Sequence, residues 1–339
     1  MADDTHPAPL LSVRGLTVTF AAHSRTAHAV RGVSFDVAAG ETLGIVGESG
    51  SGKSVTALAI MGLLASNASI GGSIKLNGRE LVGMGRRELR KIRGKQIGMV
   101  FQDPLTSLNP VIPIGKQLVE ALRIHDRGLS PRDARKRSVE LLQMVSIPDA
   151  TRRLDNYPFE LSGGMRQRVM IAMAMSNDPS LLIADEPTTA LDVTIQAQVL
   201  EVLQDLQRQH DIGVILITHD LGVVAGLVKR LLVMYAGRLV ESGSVNAIFD
   251  APGHPYTRGL LACLPRLDRP RFELVPIKGA PPSAVQIPDG CPFHPRCPHA
   301  TERCSTEEPP LLDHGPTRAA CHYADEVRRR SLPASAWAT

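Results

Sequence analysis

The sequence predicts an α/β fold: a parallel sheet covered on both faces by helices, followed by a smaller lobe of different composition. Three observations carry this. Short apolar strands alternate with helical apolar spacing through the front of the chain, the pattern of βαβ units. At 339 residues the chain is long enough for two domains, or one large domain and an appendage. All five cysteines and 15 of the 25 prolines fall in the 94 residues after position 245. The expected division is therefore 1–245 and 246–339, with the boundary near Glu241–Asp250.

The elements follow in order. Leu11–Phe20 alternates apolar and polar residues, as a half-exposed strand does. A polar, His-containing stretch, Ala21–His28, separates it from a second strand at Val33–Val37. Gly40–Gly47 is a short apolar strand running into a Gly-rich turn, and Lys53 to about Leu64 has helical spacing. Gly83–Gln96 carries six basic residues among apolar ones. It reads as the solvated face of an amphipathic helix, with nucleic-acid or lipid contact as the lesser alternative. Leu105–Asn177 reads as mostly helical, broken at Pro110–Pro113 and Pro148. Two compact strands, Leu181–Asp185 and Val214–Thr218, flank a helix over Ile195–His210.

Composition excludes several classes. A hydrophobic fraction of 43% with 21% charged residues is neither disordered nor collagen-like. No run of about 18 uncharged apolar residues exists, so no membrane-spanning helix is expected. The acidic start, Met1-Ala-Asp-Asp-Thr-His6, lacks the apolar core of a secretory signal. A net charge of +4 is too small to indicate nucleic acid, and none is expected as a partner.

The chemistry begins at Gly47-Glu48-Ser49-Gly50-Ser51-Gly52-Lys53-Ser54, which fits G-x-x-x-x-G-K-[ST]. Its glycines let backbone N–H groups converge on phosphate oxygens, and the helix N-terminus behind it adds positive potential. Lys53 would reach the β- and γ-phosphates of ATP and Ser54 would ligate Mg²⁺. Leu181–Asp185 is a buried strand ending in a carboxylate suited to Mg²⁺, and Glu186 follows where it could polarise an attacking water. Gln102 and His219 each end an apolar run. Taken alone they read as a loop residue and a structural histidine.

With Leu161-Ser-Gly-Gly-Met-Arg-Gln-Arg168 added, the set resembles the ABC-transporter ATPases. The likeness covers roughly Leu11–Gly243, with every nucleotide motif in order. It implies a P-loop NTPase (RecA-like) core with an antiparallel β subdomain and an inserted helical subdomain over about 104–176. It makes Gln102 the Q-loop glutamine that also meets Mg²⁺, Ala190-Leu-Asp192 the D-loop and His219 the switch histidine. Phe20 is the candidate to stack on adenine, with His28 as competitor. Ser162, Gly163 and Gly164 would face the γ-phosphate held by a second ATPase subunit, so that ATP drives closure of a homo- or heterodimer.

Finer runs resemble the oligopeptide/dipeptide importer branch: Phe101–Pro110, Ala184–Thr194, His254-Pro-Tyr-Thr-Arg258 and Cys291-Pro-Phe-His-Pro-Arg-Cys-Pro298. Relatives commonly have His where this chain has Phe159. The cysteines Cys291, Cys297, Cys304 and Cys321 are not spaced as a C-x₂-C zinc pattern, and disulfides suit the cytosol poorly. Four thiols in a Pro-rich segment with little apolar core suggest a metal staple. The resemblance implies a 4Fe–4S cluster on these four; zinc and free thiols stay open, as do His294, His299 and His322 as ligands. Cys263, inside the apolar run Gly259–Leu264, reads as a free buried cysteine.

Together these imply a hydrolase and translocase subunit: an ATPase peripheral to the cytoplasmic face of the inner membrane. Its partners would be two transmembrane permease subunits and an extracytoplasmic substrate-binding protein. The different class to weigh is a non-transport ABC ATPase acting on nucleic acid or the ribosome. Those usually carry two cores or a long coiled-coil insertion, which this chain lacks. A non-hydrolysing partner in an asymmetric pair is disfavoured by the intact Glu186.

Overall fold

A computed structural model describes residues 8–22, 25–189, 191–264 and 277–329. The chain forms two compact units, each gathered from separated segments: the described parts of 1–12, 36–42 and 75–217, and those of 13–35, 43–74 and 218–339. No helix among the described residues is long and apolar enough to cross a membrane.

The first unit holds three parallel strands, Ile97–Val100, Leu181–Asp185 and Gly213–Thr218, paired in that order. Every residue of the three is buried. Continuous apolar runs of this kind are what a strand covered on both faces requires. The helix Val193–His210 buries Val199, Val202, Leu203 and Leu206, one stripe at helical spacing. The segment before Leu181 is helical as expected: Ile114–Arg123, Pro131–Met144 and Gly163–Ala174, with short turns between. Pro113 and Pro131 stand at helix starts, where a missing N–H costs nothing. The basic run forms a short helix, Arg86–Ile92, that buries Leu89 and Ile92 and pairs Lys91 and Arg79 with Glu88 in solvent.

The second unit holds the strand Thr42–Val46 parallel to Arg230–Tyr235. Arg238–Ser244 pairs antiparallel with Arg230–Tyr235 on one side and with Thr317–Ala319 on the other, and Leu312–His314 closes the row. Strands Arg25–Val37, Leu11–Ala22 and Ala68–Leu76 lie side by side in a second sheet.

Four expectations need correction. Ala21–His28 is not a polar break: one strand runs on to Ala22 and the next begins at Arg25, with His23 and Ser24 outside the described residues. Strand pairing satisfies these backbone groups whether or not the side chains are apolar. The helix after the Gly-rich turn ends at Met61, not Leu64, because Gly62 takes φ 61° and reverses the chain. The tail does own an apolar core: Phe293, Ala319, Ala320, Ala324 and Val327 are all buried. Cys263 is half-buried rather than buried, at the C-terminal end of the Pro255–Ala262 helix.

Candidate nucleotide site

In the second unit, the chain leaves Val46 and turns through Gly47–Gly52 into the Lys53–Met61 helix. Gly47, Gly50 and Gly52 have φ of 154°, 78° and 103°. A Cβ on Gly47 would lie 2.2 Å from the Met234 carbonyl oxygen, and one on Gly52 would lie 2.6 Å from that of Ala29. Glycine is therefore required by conformation and by space at once. No side chain caps the helix, so its first N–H groups face the loop. Lys53 is buried inside the turn and its Nζ donates to the carbonyls of Gly47 (2.7 Å) and Glu48 (2.9 Å). Ser51 is buried, Ser54 half-buried and Ser49 exposed. Such a loop offers a cation and converging N–H donors to a polyphosphate. Phe20 is half-buried in its strand, whereas its competitor His28 is exposed.

In the first unit, the buried strand Leu181–Asp185 delivers Asp185 at its end, 6% exposed. Glu186 takes φ 47°, the left-handed region that non-glycine residues rarely adopt. Its N–H donates to Ile217 O at 2.9 Å, which locks the turn against the neighbouring strand. The carboxylate Oε2 accepts from Gln102 Nε2 and from Thr189 Oγ1, both at 2.9 Å. Gln102 leaves the Ile97–Val100 strand, so two strand ends bring the two side chains together across 84 residues of sequence. Strain held by surrounding hydrogen bonds is common where a side chain must be aimed. His219 follows the Gly213–Thr218 strand and is exposed.

Ser162 caps the Gly163–Ala174 helix, its Oγ accepting from Met165 N at 3.3 Å. Gly163 is exposed, while Gly164 is buried so tightly that a Cβ would meet Ile195 Cγ2 at 2.4 Å. Asp192 caps the Val193–His210 helix through Ile195 N. Ser162 and Asp192 are both exposed, so the two helix starts lie at the surface. Ala190 lies outside the described residues.

In the tail, Cys291, Cys297, Cys304 and Cys321 all line one cavity, with His254, His294, His299 and His322 around it. The four donors are of the kind an iron–sulfur cluster takes. The cavity measures about 20 Å³, room for about one water molecule. Among the described residues no three Cys, His, Asp or Glu side chains form a metal-holding group. Burial pushes the thiols of Cys297 and Cys321 up to about 12 and that of Cys291 upward.

Three residues escape sequence reading. Thr189 completes the grip on Glu186. Arg296 pairs with Glu48 through two bonds, and the Tyr256 hydroxyl accepts the Glu48 N–H at 2.7 Å. The only local signal for Arg296 is its place beside Cys297 in a run that also holds Cys291.

Comparison with known proteins agrees with this geometry. Residues 30–189 match the ABC transporter family, and residues 240–304 match the oligopeptide/dipeptide transporter C-terminal region. The chain is 54% identical to the oligopeptide transport ATP-binding protein OppD of Salmonella typhimurium, over 91% of this chain and 92% of that one. It is 53% identical to OppD of Escherichia coli, over 91% of each. Among solved structures it is similar to the dimeric ATP-binding cassette MJ0796 bound to ADP and Pi: TM-score 0.63 and 29% identity over 69% of this chain and 98% of that one. It is also similar to cbiO1 from Clostridium perfringens, part of the ABC transporter complex cbiONQ: TM-score 0.61 and 28% identity over 72% of this chain and 91% of that one. The P-loop α/β fold, the loop geometry and these likenesses agree, and the chain belongs to the ABC-transporter ATP-binding proteins of the oligopeptide branch.

Proposed function

We propose that this chain is the ATP-hydrolysing subunit of an importer for di- or oligopeptides or related small solutes. It converts ATP and water to ADP and phosphate and so powers permease subunits supplied in trans. The observation that carries the hydrolytic role is Glu186: a carboxylate fixed in a left-handed turn after a buried strand and held by Gln102 and Thr189. A carboxylate so fixed can accept the proton of an attacking water, and its orientation costs nothing at the moment of reaction.

Gly47–Ser54 binds the phosphates through backbone N–H groups and Lys53. Ser54, Gln102 and Asp185 would hold Mg²⁺, which neutralises charge on phosphate oxygens when bound. His219 contacts the γ-phosphate and Phe20 stacks on adenine. Ser162, Gly163 and Gly164, with Asp192, serve the ATP of a second ATPase subunit; the dimeric MJ0796 structure supports pairing of this kind. Residues 1–245 act as the ATP engine, with 104–176 as its helical subdomain, and 246–339 as a branch-specific lobe. The protein is peripheral to the cytoplasmic face of the membrane and receives solute from an extracytoplasmic binding protein. The substrate class rests on the named relatives and on the matched C-terminal region.

The four tail cysteines are the ligand set for a 4Fe–4S cluster, supported by their sharing one cavity. Loading requires the thiols to lose protons and the cavity to open. Iron and acid-labile sulfide in anaerobically purified protein test this; their absence would remove the cluster from the proposal.

The hydrolytic role is tested by Glu186→Gln. ATP binding should persist while turnover falls about 10²–10⁴-fold, the worth of a general base. Near wild-type hydrolysis would sink the assignment.

A further inference from the structure

The second residue of the phosphate loop is gripped from the tail. The Arg296 guanidinium donates to both carboxylate oxygens of Glu48, at 2.6 and 2.9 Å. That fork-to-fork geometry is the strong form of the ion pair, and the Arg296 side chain is only 5% exposed. The rest of the guanidinium is also committed: Nε to Lys278 O at 2.9 Å, and the terminal nitrogens to Tyr235 Oη and Ile277 O at 3.3 Å. It lies 5.8 Å from the centre of the Tyr235 ring and 5.9 Å from that of Phe293. The arginine is thus aimed, rather than a mobile surface charge.

Glu48 is held by its backbone as well. Its N–H donates to the buried Tyr256 hydroxyl, and its carbonyl accepts from Lys53, the lysine of the loop. Tail side chains therefore fix the side chain and N–H of the residue whose carbonyl holds Lys53. Arg296 itself sits in the short turn His294–Arg296, directly before Cys297.

From this chain of contacts we infer that Arg296 is a positioning residue for ATP binding: through Glu48 it sets the phosphate loop and Lys53. The tail is then a working part of the nucleotide site, not an appendage to it. This rests on the assignment of Gly47–Ser54 as the ATP loop.

The test measures ATP affinity directly on the full chain in a Glu186→Gln background, so it does not depend on hydrolysis. Arg296→Lys keeps the charge but loses the fork; Glu48→Gln keeps the shape but loses the charge. Each should weaken ATP binding about tenfold, the scale of one charge-assisted bond lost. The double variant should be no worse than either single, because the two residues act as one pair. In the native enzyme Arg296→Lys should raise KM for ATP more than it lowers kcat. Thermal unfolding is followed in parallel, since a staple that only steadies the tail would lower Tm and leave ATP affinity alone. Unchanged affinity, or strictly additive losses, would overturn the inference. Absence of ATP binding in the wild-type chain would overturn the loop assignment along with it.

Discussion

The phosphate loop and the cysteine-rich tail belong to the same unit but are held by different means. The loop is shaped by backbone: Gly47 and Gly52 sit where any Cβ would strike a carbonyl oxygen. The tail is shaped by side chains: Phe293 stacks edge-on with Tyr235 at 5.3 Å and also meets Tyr256 and His254. In a chain with 4% aromatic residues, this cluster gathers at one place, beneath Glu48. The buried Glu241 carboxylate ties the strand to the tail by accepting from Gly253 N, His254 N and Thr317 Oγ1. A glycine turn carries its own geometry wherever it is placed. The tail exists only through what it packs against, and that includes the loop.

The sharpest way to break this contrast is Phe293→Ala. Removing a ring that is 1% exposed should cost about 3–5 kcal/mol of stability, read by chemical denaturation. If loop and tail are joined, ATP affinity falls with it; unchanged affinity in the folded variant would make the two regions independent. Next comes Gly47→Ala, whose methyl meets Met234 O at 2.2 Å. It should abolish ATP binding while costing only about 1–3 kcal/mol, leaving the tail intact by limited proteolysis. Proteolysis of the tail in this variant would show that the loop supports the tail in return.

The smallest effect is a pH dependence at His254, whose imidazole is fully buried. Burial lowers its pKa from 6.5 to about 3, so the unfolded chain takes up the proton first. His254 therefore favours the fold fully above about pH 6.5, and this stability is lost as pH falls toward about 3. Glu241 beside it shifts the other way, because burial raises its carboxyl pKa. His254→Gln should flatten the loss of stability between about pH 7 and about pH 5 relative to wild type, measured by urea midpoints. Equal slopes in the two proteins would mean that the histidine is hydrated and charged in solution.

Much of the nucleotide machinery was legible because its chemistry is local. Gly47–Ser54 and the Asp185–Glu186 strand end each follow from a few neighbouring residues whose spacing meets one physical need. The strands Leu312–His314 and Thr317–Ala319 were not legible: each has three residues, too few for a periodic pattern, and pairing with Arg238–Ser244 creates them. The strand ends up to Ala22 and from Arg25 were not legible because polar residues on exposed strands give no apolar alternation. The cysteines were visible as a set, but not that they would line one cavity together with His254, His294, His299 and His322.

The sequence by itself determined that this protein has a phosphate loop and a strand ending in two carboxylates. Those features depend on backbone conformations that specific residue types impose on themselves. Only the tertiary structure decided that Gln102 reaches Glu186 and that Arg296 reaches Glu48 across 248 residues. A charged side chain carries no local mark of its partner, and burial alone turns such a meeting into a constraint.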